Sequence, residues 1–124
     1  MSTELYTSEV TRIGPEAQDM FEAGVYILFA EPVPPALADM SVVHTGVQDS
    51  HPDVAAGDVV HLGGVELVVD EVGDLANQNL AELGHTVLYV NSPGQNLLPG
   101  AIKAHGDQVP DPQPGQRVAF VRGS

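Results

Sequence analysis

The sequence predicts a small all-β fold: a closed or nearly closed β-barrel of about seven or eight short strands with one or two short helices. Three observations carry this. Short apolar runs rich in Val, Ile, Leu and Tyr recur along the 124 residues, and several alternate at period two. Thirteen glycines and ten prolines fall between the runs, as expected of turns joining short strands. Helical periodicity is brief. Many short strands in a chain this small suit a barrel or a sandwich. A barrel is preferred because closure removes the edges that valine-rich strands otherwise expose.

The expected strands are 4–13 (ELYTSEVTRI), 25–30 (VYILFA), 41–45 (SVVHT), 58–62 (DVVHL), 65–72 (VELVVDEV), 85–91 (HTVLYVN), 100–105 (GAIKAH) and 117–122 (RVAFVR). Gly63-Gly64 stands between two of them, and paired glycines supply the positive φ angles of a two-residue hairpin. In "PDPQPGQRV", Pro110, Pro112 and Pro114 resist a ladder or a helix, and Pro114-Gly115 marks a turn. "DLANQNLAELG" (74–84) is the clearest helix, with Asp74 as its expected N-cap, Leu75, Leu80 and Leu83 on one stripe, and Gly84 to end it. "PEAQDMF" (15–21) opens with Pro15 at a first turn, and "PALADM" (35–40) is long enough for one turn. No internal repeat, low-complexity segment or linker is apparent, so one domain spanning 1–124 is expected.

Composition excludes several classes of function. Seventeen acidic residues stand against four basic ones, for a net charge of −13. Arg12, Lys103, Arg117 and Arg122 form no basic cluster, which a nucleic-acid surface requires. An anionic membrane is disfavoured for the same reason. The acidity reads as a solvated surface, or as attraction for a basic partner protein. No apolar run reaches the roughly 18 residues of a membrane span, and MSTELYTSEV is not a secretory signal. Without cysteine there is no disulfide, thiol nucleophile or thiolate metal site. The phosphate-cradling GxxxxGKS/T loop, GxGxxG and GxSxG are all absent.

Chemistry therefore falls to five histidines. His44 ends the apolar run Val42-Val43 and precedes Thr45 and Gly46. An imidazole there is able to accept a phosphoryl group, with Thr45 offering a hydroxyl and the backbone around Gly46 offering N–H donors. From position alone, a strand-end histidine without chemistry is the commoner case. His85 opens a strand directly after a helix end, where it can orient a second imidazole, bond a phosphate, or simply hold the local turn. His51, between Asp49 and Asp53 and before a proline, reads as a loop residue. His61 and His105 read as structural or surface positions. A metal-dependent enzyme built on His44, His51 and a carboxylate ranks last, because no metal-ligand spacing supports it.

Four collinear stretches add a resemblance: "TRIG" (11–14), "SVVH" (41–44), "NLAELGHTVLYV" (79–90) and "LPGAIKA" (98–104). Together they make the chain, over roughly 3 to 122, similar to the glucitol/sorbitol-specific IIA component of the phosphoenolpyruvate-dependent sugar phosphotransferase system (PTS). The resemblance implies a cytoplasmic β-barrel phosphotransferase component. It would accept a phosphoryl group from the phosphocarrier HPr on His44, through Nε2, and pass it to the IIB component of a membrane permease for glucitol/sorbitol uptake. It implies no cofactor and no metal. Thr45 and Gly46 are the expected phosphate-binding neighbours, and His85 is a supporting residue. Thr45-Gly46 and the segment 46–57 depart from the pattern in detail. A homodimer through an exposed strand is open. The competing reading is a non-catalytic regulatory or sugar-sensing module on the same barrel.

Overall fold

A computed structural model describes residues 4–45 and 53–123. Among these, the chain forms β1 (Glu4–Ile13), α1 (Ala17–Glu22), β2 (Val25–Ala30), α2 (Pro35–Ala38), β3 (Ser41–His44), β4 (Val59–Leu62), β5 (Val65–Val72), α3 (Ala76–Leu83), β6 (Thr86–Val90), β7 (Ala101–His105) and β8 (Arg117–Val121). The eight strands close into a barrel in the order β1-β3-β2-β6-β7-β5-β4-β8. The all-β closed barrel matches the expectation, with three short helices rather than one or two.

Local chemistry sets the boundaries. Gly63 and Gly64 have φ of 59° and 82° and join antiparallel β4 and β5, with Leu62 opposite Val65. Two consecutive positive φ angles match the right-handed strand twist, so the hairpin closes in two residues. Pro15 precedes α1 rather than entering it, since the helix starts at Ala17. Asp74 is not the cap of α3. The N-cap is Leu75, with no side-chain cap bond. The helix start is instead held by backbone, Leu75 N–H donating to Pro99 O at 2.7 Å and Ala76 N–H to Gly73 O at 3.1 Å. A neighbouring loop thus supplies what a capping side chain supplies elsewhere.

The repeat absent from the sequence pattern is present in the topology. β1 and β3 pair antiparallel with an irregularity between Val10 and Arg12, and β5 and β7 pair antiparallel with one between Val69 and Glu71. β3 runs parallel to β2, placing Ala30 beside His44, and β7 runs parallel to β6, placing Val90 beside Ala104. Antiparallel pairs β2–β6, β4–β8, β4–β5 and β1–β8 join the two sets. Replacing each of the first four strands by the strand four later reproduces the whole ring. Glu31 N–H to His44 O and Asn91 N–H to Ala104 O are counterpart bonds, both 2.9 Å. The counterparts share register rather than identity, and for that reason sequence periodicity does not show them.

Alternation fills the interior. Tyr6, Val10, Tyr26, Leu28, Val42, Leu67, Leu88, Ile102 and Phe120 belong to one continuous core. Each such side chain contributes about 1.5–3 kcal/mol through burial. Tyr26 stacks on Phe21 of α1 with ring centroids 4.6 Å apart and donates its hydroxyl to Pro110 O at 2.8 Å, fixing α1 and the proline-rich segment to the barrel.

Candidate functional site

β3 lies between β1 and β2, and all four of its residues are buried. Period two puts His44 on the same face as Val42, which is in the core. The ring therefore turns inward at the end of the strand, edge-on to Tyr6 with centroids 6.1 Å apart and planes at 86°. His44 is only 1% exposed. The pleat places this ring at the rim of the core.

Both ring nitrogens have partners at 2.7 Å. Nε2 meets the Gly84 carbonyl and Nδ1 meets the Ser8 hydroxyl. A carbonyl only accepts, so Nε2 must carry hydrogen. Burial lowers the pKa of His44 from 6.5, outweighing the opposite effect of the Gly84 bond. The ring is therefore neutral at pH 7 and holds one hydrogen, on Nε2. The Nδ1 lone pair then accepts from the Ser8 O–H. Thr45 extends the line: its Oγ1 is 3.3 Å from Ser8 Oγ and accepts from Glu9 N–H at 3.4 Å. Donors and acceptors run in one direction, from Glu9 N–H through Thr45, Ser8 and His44 to Gly84, an arrangement in which each bond polarises the next. Tyr6, its phenol pushed up to about 12 by burial, stays neutral beside the ring.

Gly84 can offer its carbonyl because it ends α3 in the left-handed conformation, φ 63° and ψ 26°. Its N–H closes the last turn on Leu80 O at 3.0 Å and His85 N–H reaches Asn79 O at 3.3 Å, the reversal that a left-handed cap produces. A Cβ here would lie 2.4 Å from Ala30 Cβ and 2.8 Å from His44 Cε1. Glycine is required twice, by φ and by contact.

The structure brings His44 and Thr45 together with Ser8. The Thr45 N–H is already spent on Glu9 O at 2.9 Å, so Thr45 has only its hydroxyl for a phosphate. Gly46 and His51 lie outside the described residues. His85 follows Gly84 directly, but its Nδ1 donates to Leu28 O at 3.0 Å and its ring packs on Phe29, centroids 4.7 Å apart. It is the Gly84 carbonyl, not the His85 ring, that touches the His44 imidazole. His61 stands 3.7 Å from Glu66 and His105 bonds Asp70 at 2.7 Å, both on the outer surface. Among the described residues, no three His, Cys, Asp or Glu side chains gather as a metal site. Each basic residue faces a carboxylate: Arg12 with Glu31, Lys103 with Glu71, Arg117 with Glu4 and Arg122 with Asp58.

Sequence reasoning missed Ser8, which is one polar residue among several in β1. Gly84 was legible as a helix stop but not as a hydrogen-bond acceptor. The signal lies in "ELGH", where a glycine cap leaves a carbonyl facing a neighbouring strand.

Comparison with known proteins agrees with the barrel. The family profile described as "PTS system glucitol/sorbitol-specific IIA component" matches residues 5–119. The chain is 31% identical over 121 residues to the glucitol/sorbitol-specific EIIA components of Shigella flexneri and of Escherichia coli, covering 95% of this chain and 95% of each relative. In fold it is similar to the crystal structure of a PTS system IIA component from Enterococcus faecalis, with a TM-score of 0.81 and 23% identity over 94% of this chain and 99% of the other. Among the described residues, no helix is long and apolar enough to cross a membrane. The profile match over residues 5–119, with 31% identity along 95% of the chain, places the chain in the glucitol/sorbitol-specific IIA family of the phosphotransferase system.

Proposed function

We propose that this protein is a cytoplasmic phosphocarrier that accepts a phosphoryl group from HPr on His44 and passes it to a IIB component serving glucitol/sorbitol uptake. The observation that carries the reading is the state of His44: a neutral imidazole with its tautomer fixed from both sides. A neutral nitrogen lone pair is the nucleophile the reaction needs. Phosphoryl transfer asks little else of a protein beyond position and hydrogen bonds to the equatorial oxygens. With all four basic residues paired, those bonds fall to the Ser8 and Thr45 hydroxyls and to the backbone beyond Thr45, including Gly46. His85 supports the site by anchoring the start of β6 one residue past Gly84.

The test is incubation with Enzyme I, HPr and phosphoenolpyruvate, followed by site mapping. The wild type is expected to gain one acid-labile phosphate per chain, and His44→Gln and His44→Ala none. Wild-type stoichiometry in folded His44 variants refutes the assignment. The burial of His44, 1% exposed, favours the second reading, a regulatory barrel that transfers nothing. Absence of any phosphorylation by HPr supports that reading.

A further inference from the structure

We propose that Tyr6 is a positioning residue for phosphoryl transfer, the contact that keeps the His44 imidazole aimed while its hydrogen bonds are being exchanged. This rests on the reading of His44 as acceptor and deepens it. The need for such a residue follows from the ring's own torsion. The bond from Cβ to the ring joins tetrahedral to planar carbon, so its energy wells are broad and do not set the plane of the imidazole. Neighbours must set it. Among the described residues, three groups are placed to do so. The Ser8 hydroxyl and the Gly84 carbonyl each lie 2.7 Å from a ring nitrogen. The Tyr6 ring stands edge-on, with centroids 6.1 Å apart and planes at 86°.

Transfer takes one of the three away. The lone pair of a ring nitrogen forms the new N–P bond, the donor's P–N bond breaks, and its electron pair stays with the donor's nitrogen. Phosphorus must arrive in the ring plane beside the reacting nitrogen, and a hydrogen-bond partner already holds that place on either side. Whichever nitrogen reacts, its partner withdraws and one polar bond remains. One hydrogen bond restrains rocking of the ring plane only weakly. A perpendicular ring packed against the imidazole blocks that motion by contact, and it is unaffected by the exchange.

Tyr6 is itself held in place. It lies directly across the β1–β8 pair from Phe120, and the two rings are edge-on at 6.2 Å and 76°. Leu5 and Tyr6 are consecutive and both buried, which strict alternation along a strand does not allow. The register of β1 against β8 shifts between Glu4 and Tyr6, and an irregularity of this kind re-aims a side chain. From there period two resumes, and Tyr6 and Ser8 reach the same imidazole from one face of β1.

The experiment reads rate and docking separately. Initial rates of phosphorylation are measured against the concentration of phospho-HPr for the wild type, Tyr6→Leu, Tyr6→Phe and Phe21→Leu, at a temperature where unfolding curves show each to be folded. Tyr6→Leu is expected to lower kcat roughly tenfold to a hundredfold, the cost of a reacting group misplaced by about 1 Å. Its KM is expected to stay unchanged, because Tyr6 is 1% exposed and out of a docking partner's reach. Tyr6→Phe keeps the ring and is expected to keep most of the rate. Phe21→Leu removes similar bulk from the stack on Tyr26 and is expected to lower stability with kcat intact. The NMR signals of the His44 ring are expected to broaden in Tyr6→Leu and not in Phe21→Leu. If Tyr6→Leu does not fold, Phe120→Leu takes its place, since it leaves Tyr6 present but unbacked; a lower kcat at unchanged KM is again expected. Wild-type kcat in folded Tyr6→Leu, or an equal loss of kcat in Phe21→Leu, overturns the proposal while leaving His44 as acceptor. No phosphate on His44 of the wild type refutes the underlying function instead, so the two failures are distinguishable.

Discussion

His44 couples folding to proton concentration. Its folded pKa lies below the unfolded value of 6.5 because burial penalises the charged ring. Between the folded value and 6.5 the unfolded chain binds the extra proton, so stability rises with pH in that window. The contribution is complete above pH 6.5 and is lost as pH falls from 6.5 through the folded pKa. Thermal melts across that range are expected to fall more steeply for the wild type than for His44→Gln, which has nothing to titrate at this position. Equal slopes would show that the ring is not held neutral by the fold. His44 itself was legible in the sequence, as the polar end of "SVVH" with the resemblance behind it. Its partners were not. Ser8 becomes a partner only once β1 lies against β3, and a strand's neighbour is a property of the ring order rather than of either strand's residues.

Among the elements, α3 and its cap bear most directly on the site. Stripe, stop and strand were all readable in "NLAELGHTVLYV"; the start of the helix was not, because a backbone carbonyl from the 98–100 segment replaces the expected Asp74 cap. Gly84→Ala meets both a left-handed φ and contacts with Ala30 and His44. It is expected to destabilise the protein by about 2–5 kcal/mol, the sum of the conformational and overpacking costs, measured by urea unfolding. Gly64→Ala is the control: it shares a positive φ, but nothing lies within 4 Å of its Cβ, so only the conformational part, about 1–2 kcal/mol, is expected. Equal losses at the two positions would mean that the crowding around His44 carries no energy.

At the scale of the molecule, charge and connectivity matter most. With a net charge of −13, the folded state repels itself, and raising salt shortens the Debye length from about 30 Å at 0.01 M to about 3 Å at 1 M. Melting temperature is expected to rise over that range. If the partner presents a basic docking face, its association rate should fall over the same range. A melting temperature indifferent to salt would mean that the charges are already dispersed enough not to interact. The all-β class and the strand positions were written in the alternation and the glycines, whereas the twofold order was not, because the counterpart of His44 in the other half is Ala104 and that of Val43 is Lys103. That order has a kinetic meaning. β4 leaves the first set to pair with β5 and β8, and β8 returns to pair with β1, so neither half closes without a strand from the other. Partial products have no ring to live in: the chain must thread its last strand home before its first is paired on both sides. Slow, all-or-none folding follows, with no stable half-barrel along the way, and the seat of the imidazole exists only in a molecule that has been finished to its C-terminal strand.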